Sequence, residues 1–241
     1  MNLARTGVCY LCGRPLVEPM SSDHVPPRQI FASAIRKAHR PNLLTIRVHD
    51  QCNRSYQYDE DYFVNSLAPF ARGSYSGDMK LKEIVRKHRA GQKVALVQKV
   101  LKEFEPRPSG LVLPANKVAK RFEGVRIKRI AWKIVRGLHF HHHGECYPAD
   151  WTVAIQVVPP GERPPDHFLM TVWNDDSFGR HEAVFDYKFR QFPDAGDLHY
   201  WALLLWDRII IIVMFHDFHC TCNQCQPTSP MTDVSNGNEN R

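Results

Sequence analysis

Two pairs of soft metal ligands stand near the start of the chain. The first is Cys9-Tyr10-Leu11-Cys12, and 36 residues separate it from the second, His49-Asp50-Gln51-Cys52. Thiolate sulfur and imidazole nitrogen are the donors a tetrahedral zinc takes, and an x2 spacing presents both donors of a pair from one turn. The pattern predicts one structural zinc held by Cys9, Cys12, His49 and Cys52. The segment between the pairs becomes an insert pinned by that ion, and it contains Ser22-Asp23-His24-Val25-Pro26-Pro27. Asp23 offers a hard oxygen suited to Mg2+ or Mn2+, and His24 is the side chain suited to take a proton near neutral pH. Asn53 follows Cys52 directly, so zinc ligation at Cys52 would fix where its amide oxygen, a further hard donor, points.

The elements that must position these groups are partly visible. Residues 23–27 read as short and extended, because residues before proline avoid the helical region. Residues 28–39 carry apolar positions at intervals of three and four and predict a helix. Leu43 to Val48 predicts a strand, and 51–70 a helix ending near Gly73. Basic helical stretches follow at 79–90 and 93–105, closed by Pro106 and Pro108, and a third at 125–138. From Trp151 the pattern changes to strands at 152–158, 168–173, 183–189, 200–206 and 209–215. Strand neighbours point to opposite faces, so Asp23 and His24 are expected to have different roles, the first on a metal and the second on a water.

Composition sets the frame. A chain of 241 residues with 43% hydrophobic and 24% charged residues is long enough, and apolar enough, to bury a core as a soluble globular protein. The net charge of +7 favours a polyanionic partner only mildly. The charge is concentrated, however: 17 Lys or Arg between Lys80 and Arg136 face only Glu83, Glu103, Glu105 and Glu123. Such a run is either a solvated helix face or a nucleic-acid contact. Seven cysteines, in two tight groups plus a lone Cys146, suit metal ligation better than a disulfide framework. With no apolar run behind Met1, no leader is expected, and a cytoplasmic location follows. The most apolar stretch, 202–215, is interrupted by Asp207-Arg208 and does not predict a membrane span.

The order Cys-x2-Cys, Asp23-His24-Val25-Pro26-Pro27, Asn42-Leu43, His49-x2-Cys52-Asn53 resembles the HNH endonucleases. The likeness covers about residues 7–70 and extends to Phe31, Val48 and Asp59-Glu60-Asp61-Tyr62-Phe63. The resemblance implies a ββα-metal core and hydrolysis of phosphodiester bonds, leaving a 5′-phosphate and a 3′-hydroxyl. It implies His24 as the general base, Asp23 and Asn53 as ligands of a catalytic Mg2+ or Mn2+, and Asn42 as the residue that orients His24. His49 stands where a third zinc cysteine is more usual, and Asn53 where many members have histidine; neither change removes a needed group. Double-stranded DNA is the expected partner. Arg28 and Arg54 flank the motif and are candidates for contact with neighbouring phosphates. The alternative is a zinc-stapled nucleic-acid-binding protein without cleavage activity.

The expected fold class is α+β. Residues 1–75 form a zinc-stapled nuclease module, 76–226 an accessory domain of basic helices followed by an antiparallel sheet, and 227–241 a disordered tail rich in Ser, Thr, Asn and Gly. Two further clusters could do metal chemistry. His219, Cys220, Cys222 and Cys225, preceded by His216, are candidates for a second zinc or a reduced cysteine cluster. His139, His141, His142, His143 and Cys146 are either a metal site or solvated and core histidines. The five tryptophans sit on apolar patterns and are expected in the core.

Overall fold

The structure, a computed structural model, describes residues 7–39, 41–105, 109, 119–147, 152–172, 174–179, 181, 183–193 and 198–216. The insert between the two ligand pairs folds as two antiparallel strands, a broad hairpin whose connection holds a short helix. Strand β1 (Met20–Val25) pairs with β2 (Leu44–His49), with Met20 opposite His49 and Asp23 opposite Ile46. Strand alternation then sorts the side chains: Asp23 and Val25 are buried, while Ser22 is exposed and His24 half-buried on the other face. His49 caps the short helix α2 (Asp50–Arg54), so the second ligand pair straddles a strand end and the first helical turn.

The single helix expected over 28–39 is divided. A 3-10 turn (Arg28–Ile30) is followed by extended backbone at Phe31, and only then by α1 (Ser33–His39). Tertiary partners take the backbone groups that a continuous helix would use internally. The indole N–H of Trp206 donates to the Ile30 carbonyl at 3.0 Å, and the Ser33 N–H donates to the Glu83 carboxylate. The helix expected over 51–70 is likewise divided into α2, α3 (Gln57–Leu67) and a 3-10 turn at Ala68–Ala71. The break holds Tyr56, whose buried ring lies 4.2 Å beneath the Arg129 guanidinium.

Helix α4 (Tyr75–Arg89) begins at Ser74, whose hydroxyl accepts the Gly77 N–H at 3.1 Å. It is followed by α5 (Val94–Lys102) and a two-residue ladder of β3 (Phe104–Glu105) with β4 (Ala119–Lys120). Helix α6 (Gly124–His143) buries the predicted face, Ile127, Ile130, Ala131, Ile134, Val135 and Leu138. It passes close over the hairpin at Gly137, where an added Cβ would stand 2.6 Å from a Val25 methyl. The C-terminal strands β5 (Thr152–Val158), β6 (Phe185–Phe192), β7 (Leu198–Leu205) and β8 (Ile209–His216) form one antiparallel sheet in the order β5-β8-β7-β6. Trp201, Leu203, Ile211, Val213 and Phe215 face the main core with α6. Tyr200 and Ile212 face the opposite side, covered by Phe168 and Val172.

Those last two residues lie on α7 (Asp166–Val172), where a strand was expected over 168–173. Pro164-Pro165 precedes the helix, and Phe168 and Val172 are a helical i, i+4 pair sharing one buried face. The class is mixed α+β, with helices first and an antiparallel sheet last. A continuous apolar core runs from Tyr10 and Ile30 through Ile134 to Phe215, across the boundary expected near residue 75. Trp201 and Trp206 are fully buried and Trp132 packs against the same core, whereas Trp151 and Trp173 lie outside the described residues. Among the described residues no helix is long and apolar enough to cross a membrane.

Candidate metal centre and active cleft

The first ligand pair sits in a tight knuckle. The Cys9 carbonyl accepts the N–H groups of Cys12 and Gly13, and the Cys9 N–H donates to the Arg14 carbonyl at 2.8 Å. Gly13 takes the left-handed conformation that this turn requires. Because Met20 is paired with His49, the hairpin carries the second ligand pair up to the knuckle. One donor atom each from Cys9, Cys12, His49 and Cys52 lies within 4.8 Å of every other. His49 Nδ1 is 3.4 Å from the Cys12 sulfur and 3.8 Å from the Cys52 sulfur. These are the edge lengths of a tetrahedron with centre-to-vertex distances of about 2.0–2.3 Å, those of zinc.

The other imidazole nitrogen, Nε2, is 2.9 Å from the Pro15 carbonyl oxygen and 3.3 Å from the Val17 N–H; a proton directed at the nearer carbonyl leaves Nδ1 as a donor to metal. Burial and the neighbouring Cys9 push the Cys52 thiol up to about 12. At Cys12 burial opposes ionisation, but the Arg14 N–H and His49 outweigh it and lower the thiol. Three crowded sulfurs of this kind ionise together only around a cation, and the group fits a metal such as zinc.

Asp23, His24 and Asn53 line one cleft of about 460 Å3, between the hairpin on one side and α3, α4 and α5 on the other. Asn53 lies against β1: its amide NH2 donates to Ser21 Oγ at 3.1 Å, and its amide oxygen has no protein donor among the described residues. Asp23 lines the cleft but is only 4% exposed, and it is gripped from behind. Tyr10, fully buried, donates its hydroxyl proton to Oδ2, and the Lys133 ammonium donates to Oδ1 at 2.7 Å. Lys133, on α6, also bonds Glu60 of α3, whose other oxygen accepts from Gln29 at 3.1 Å. Burial raises the Glu60 carboxyl, against the pull of Lys133. Burial and the Asp23 charge hold the Tyr10 hydroxyl well above its usual range, so it stays a proton donor. Burial, with Arg28 adding to it and Asp23 opposing, lowers the His24 imidazole. His24 is therefore neutral at pH 7, the form able to accept a proton.

The remaining sequence candidates fall elsewhere or beyond. Arg28 lines the cleft; Arg54 does not, and pairs with Asp50 at 2.7 Å on the surface. Asn42 is exposed in the loop before β2 and is not among the cleft-lining residues. His219, Cys220, Cys222 and Cys225 lie outside the described residues, and His216 ends β8 buried. His139, His142 and His143 pack among Tyr147, Tyr187 and Phe189, and His139, His141, His142, His143 and Cys146 form no metal-ligand group among the described residues.

Part of the basic run is internal. Lys80, Lys120 and Lys133 are buried, and Arg126 and Arg129 pair with Asp59. Sequence reasoning missed Tyr10, Glu60 and Lys133. Tyr10 was adjacent to a ligand and Glu60 stood inside an acidic run, but nothing local marks Lys133, 110 positions from Asp23. The chain matches no family model, and comparison with curated proteins and with solved structures finds no match either.

Proposed function

We propose that the protein is an HNH-type endonuclease hydrolysing phosphodiester bonds in DNA, with the zinc-stapled hairpin as its ββα-metal core. The observation that carries this reading is the convergence of Asp23, His24 and Asn53 on one cleft beside a zinc-ready Cys/His group. His24, neutral at pH 7, accepts a proton from a water whose oxygen then forms a bond to phosphorus; the P–O3′ bond breaks, and the leaving oxygen takes a proton from solvent. Asp23 and Asn53 fit a hard divalent cation. Tyr10 and Lys133 each use one lone pair of an Asp23 oxygen and leave a second, and the Asn53 amide oxygen is without a protein donor. Mg2+ or Mn2+ held there supplies neutralisation of charge on the phosphate and the leaving oxygen. Cys9, Cys12, His49 and Cys52 would hold the structural zinc, and their ligation would fix β2 and α2, with Asn53 beside β1.

A second reading has one observation in its favour. The Asp23 carboxylate is already paired with an ammonium, as it would be in a zinc-stapled nucleic-acid-binding protein without cleavage. Incubation of supercoiled plasmid with Mg2+ or Mn2+ separates the two. The nuclease reading expects nicking that falls by at least about a hundredfold in His24→Ala, the scale of a lost general base. Intact plasmid with both proteins across single-stranded, double-stranded and RNA substrates, together with salt-sensitive binding, selects the second.

A further inference from the structure

Beyond His24 the cleft carries charge that the molecule does not neutralise. Arg28 enters from the 3-10 turn, Arg36 from α1, and Lys80 and Lys87 from α4. One acid stands among them. Glu83 pairs with Lys87 at 2.5 Å and Lys80 at 3.5 Å, and accepts the Ser33 N–H. Neither arginine has a carboxylate partner among the described residues. The Arg36 guanidinium donates to Ser33 Oγ at 3.3 Å, and its Nε is buried with no partner. Four cations against one carboxylate leave three positive charges on this wall. The other wall has no such excess: Lys133 lies between Asp23 and Glu60, and Lys93 pairs with Asp61, two cations to three carboxylates.

An excess of this kind is costly without a counter-anion. Burying a donor without an acceptor destabilises the fold, because the donor loses its water and gains nothing in return. Lys80 is only 4% exposed, and burial, with Lys87 and Arg36 adding to it, lowers its ammonium to about 8 despite Glu83. The chemistry of these groups suits an anion with several oxygens. A phosphate suits two guanidiniums and two ammoniums, because it offers acceptors in more than one plane and spreads its charge over them. The cleft volume of about 460 Å3 lies in the range of sites that enclose a small ligand. That is room for a short stretch of one strand's backbone.

We infer that Arg28, Arg36, Lys80 and Lys87 form a phosphate subsite that holds the backbone of the cleaved strand one phosphate away from the one His24 faces. The subsite deepens, and rests on, the hydrolase reading above. It is tested on the full zinc-loaded chain with Mg2+ and Mn2+ withheld. Inorganic phosphate, pyrophosphate and a short oligodeoxynucleotide are titrated while the arginine Nε–Hε resonances are followed. The Arg36 resonance is expected to shift and saturate. Arg36→Met should weaken oligonucleotide binding about tenfold and reduce its salt slope by about one, and Arg36→Lys should recover part of the loss. Arg163→Gln, on the exposed loop before α7, should leave binding unchanged. Zinc content and circular dichroism establish that each variant is folded. An Arg36 resonance that no phosphate moves, or equal affinity in wild type and Arg36→Met, overturns the subsite even if DNA is cleaved. A protein that binds phosphate through Arg36 but cleaves nothing keeps the subsite and loses the nuclease.

Discussion

The hairpin β1–β2 is secured at two places by unlike chemistry. At one end Cys9, Cys12, His49 and Cys52 bring together three thiols and an imidazole, a set that supplies no cation of its own. At its middle Asp23 meets Tyr10 and Lys133, and Lys133 meets Glu60, so that centre carries its cation within the chain. The first centre depends on what the solution contains, whereas the second needs no ion from outside the chain. The first also joins residues of the hairpin and knuckle to one another, whereas the second joins the hairpin to α3 and α6. Loss of the metal should therefore release the N-terminal segment, and loss of Lys133 should loosen its docking onto the rest of the fold.

The largest expected effect is at the thiol centre. Structural zinc contributes about 10–16 kcal/mol in small zinc domains, comparable with the whole stability of a typical domain. Cys52→Ser, or a strong chelator, should remove about one zinc per chain and unfold the hairpin, seen as lost amide protection over 20–54. If purified protein holds no zinc and Cys52→Ser retains wild-type protection, the two centres do not differ in the way described.

A smaller effect is expected at the ion centre. Removing one partner of a buried pair costs about 3–5 kcal/mol, because it leaves the opposing charge unpaired. Lys133 is 1% exposed and serves two carboxylates, so Lys133→Met should lower the urea midpoint accordingly, with zinc retained. Adding Glu60→Gln to that variant should restore part of the loss by removing one stranded charge. Equal stability of Lys133→Met and wild type would show that α6 does not hold Asp23.

The smallest effect is on acid stability and lies outside both centres. Burial, with His143, His199 and His142 adding to it, lowers His139 to about 3, and burial, with His141 and His143, lowers His142 to about 4. Both are neutral in the fold and titrate near 6.5 when unfolded. Their contribution is complete above that value and is lost as pH falls through it toward the folded values, since the unfolded chain then binds more protons. The unfolding free energy from urea titrations should fall between roughly pH 7 and pH 5 by on the order of 1 kcal/mol, discounted for partial exposure. His139→Phe should flatten that slope while the zinc centre is unaffected, and an unchanged slope would remove His139 as its source.

The sequence by itself carried what local chemistry encodes. The x2 spacings announced a Cys/His metal group, the apolar period of 127–138 announced the buried face of α6, and the apolar run of 200–215, broken at Asp207-Arg208, announced a pair of strands. Each of these follows from a repeat of a few residues, and a reader of the chain can see the whole of it. The breaks at Phe31 and Tyr56 were not visible, because they exist to let Ile30, Ser33 and Arg129 meet partners far along the chain. The helix at 166–172 was masked by apolar residues whose two-sidedness emerged only once the sheet's outer face needed a cover. Least visible was Lys133 behind Asp23: a buried ion pair obeys distance in space and no spacing in sequence, so only the docking of α6 onto the hairpin could decide it.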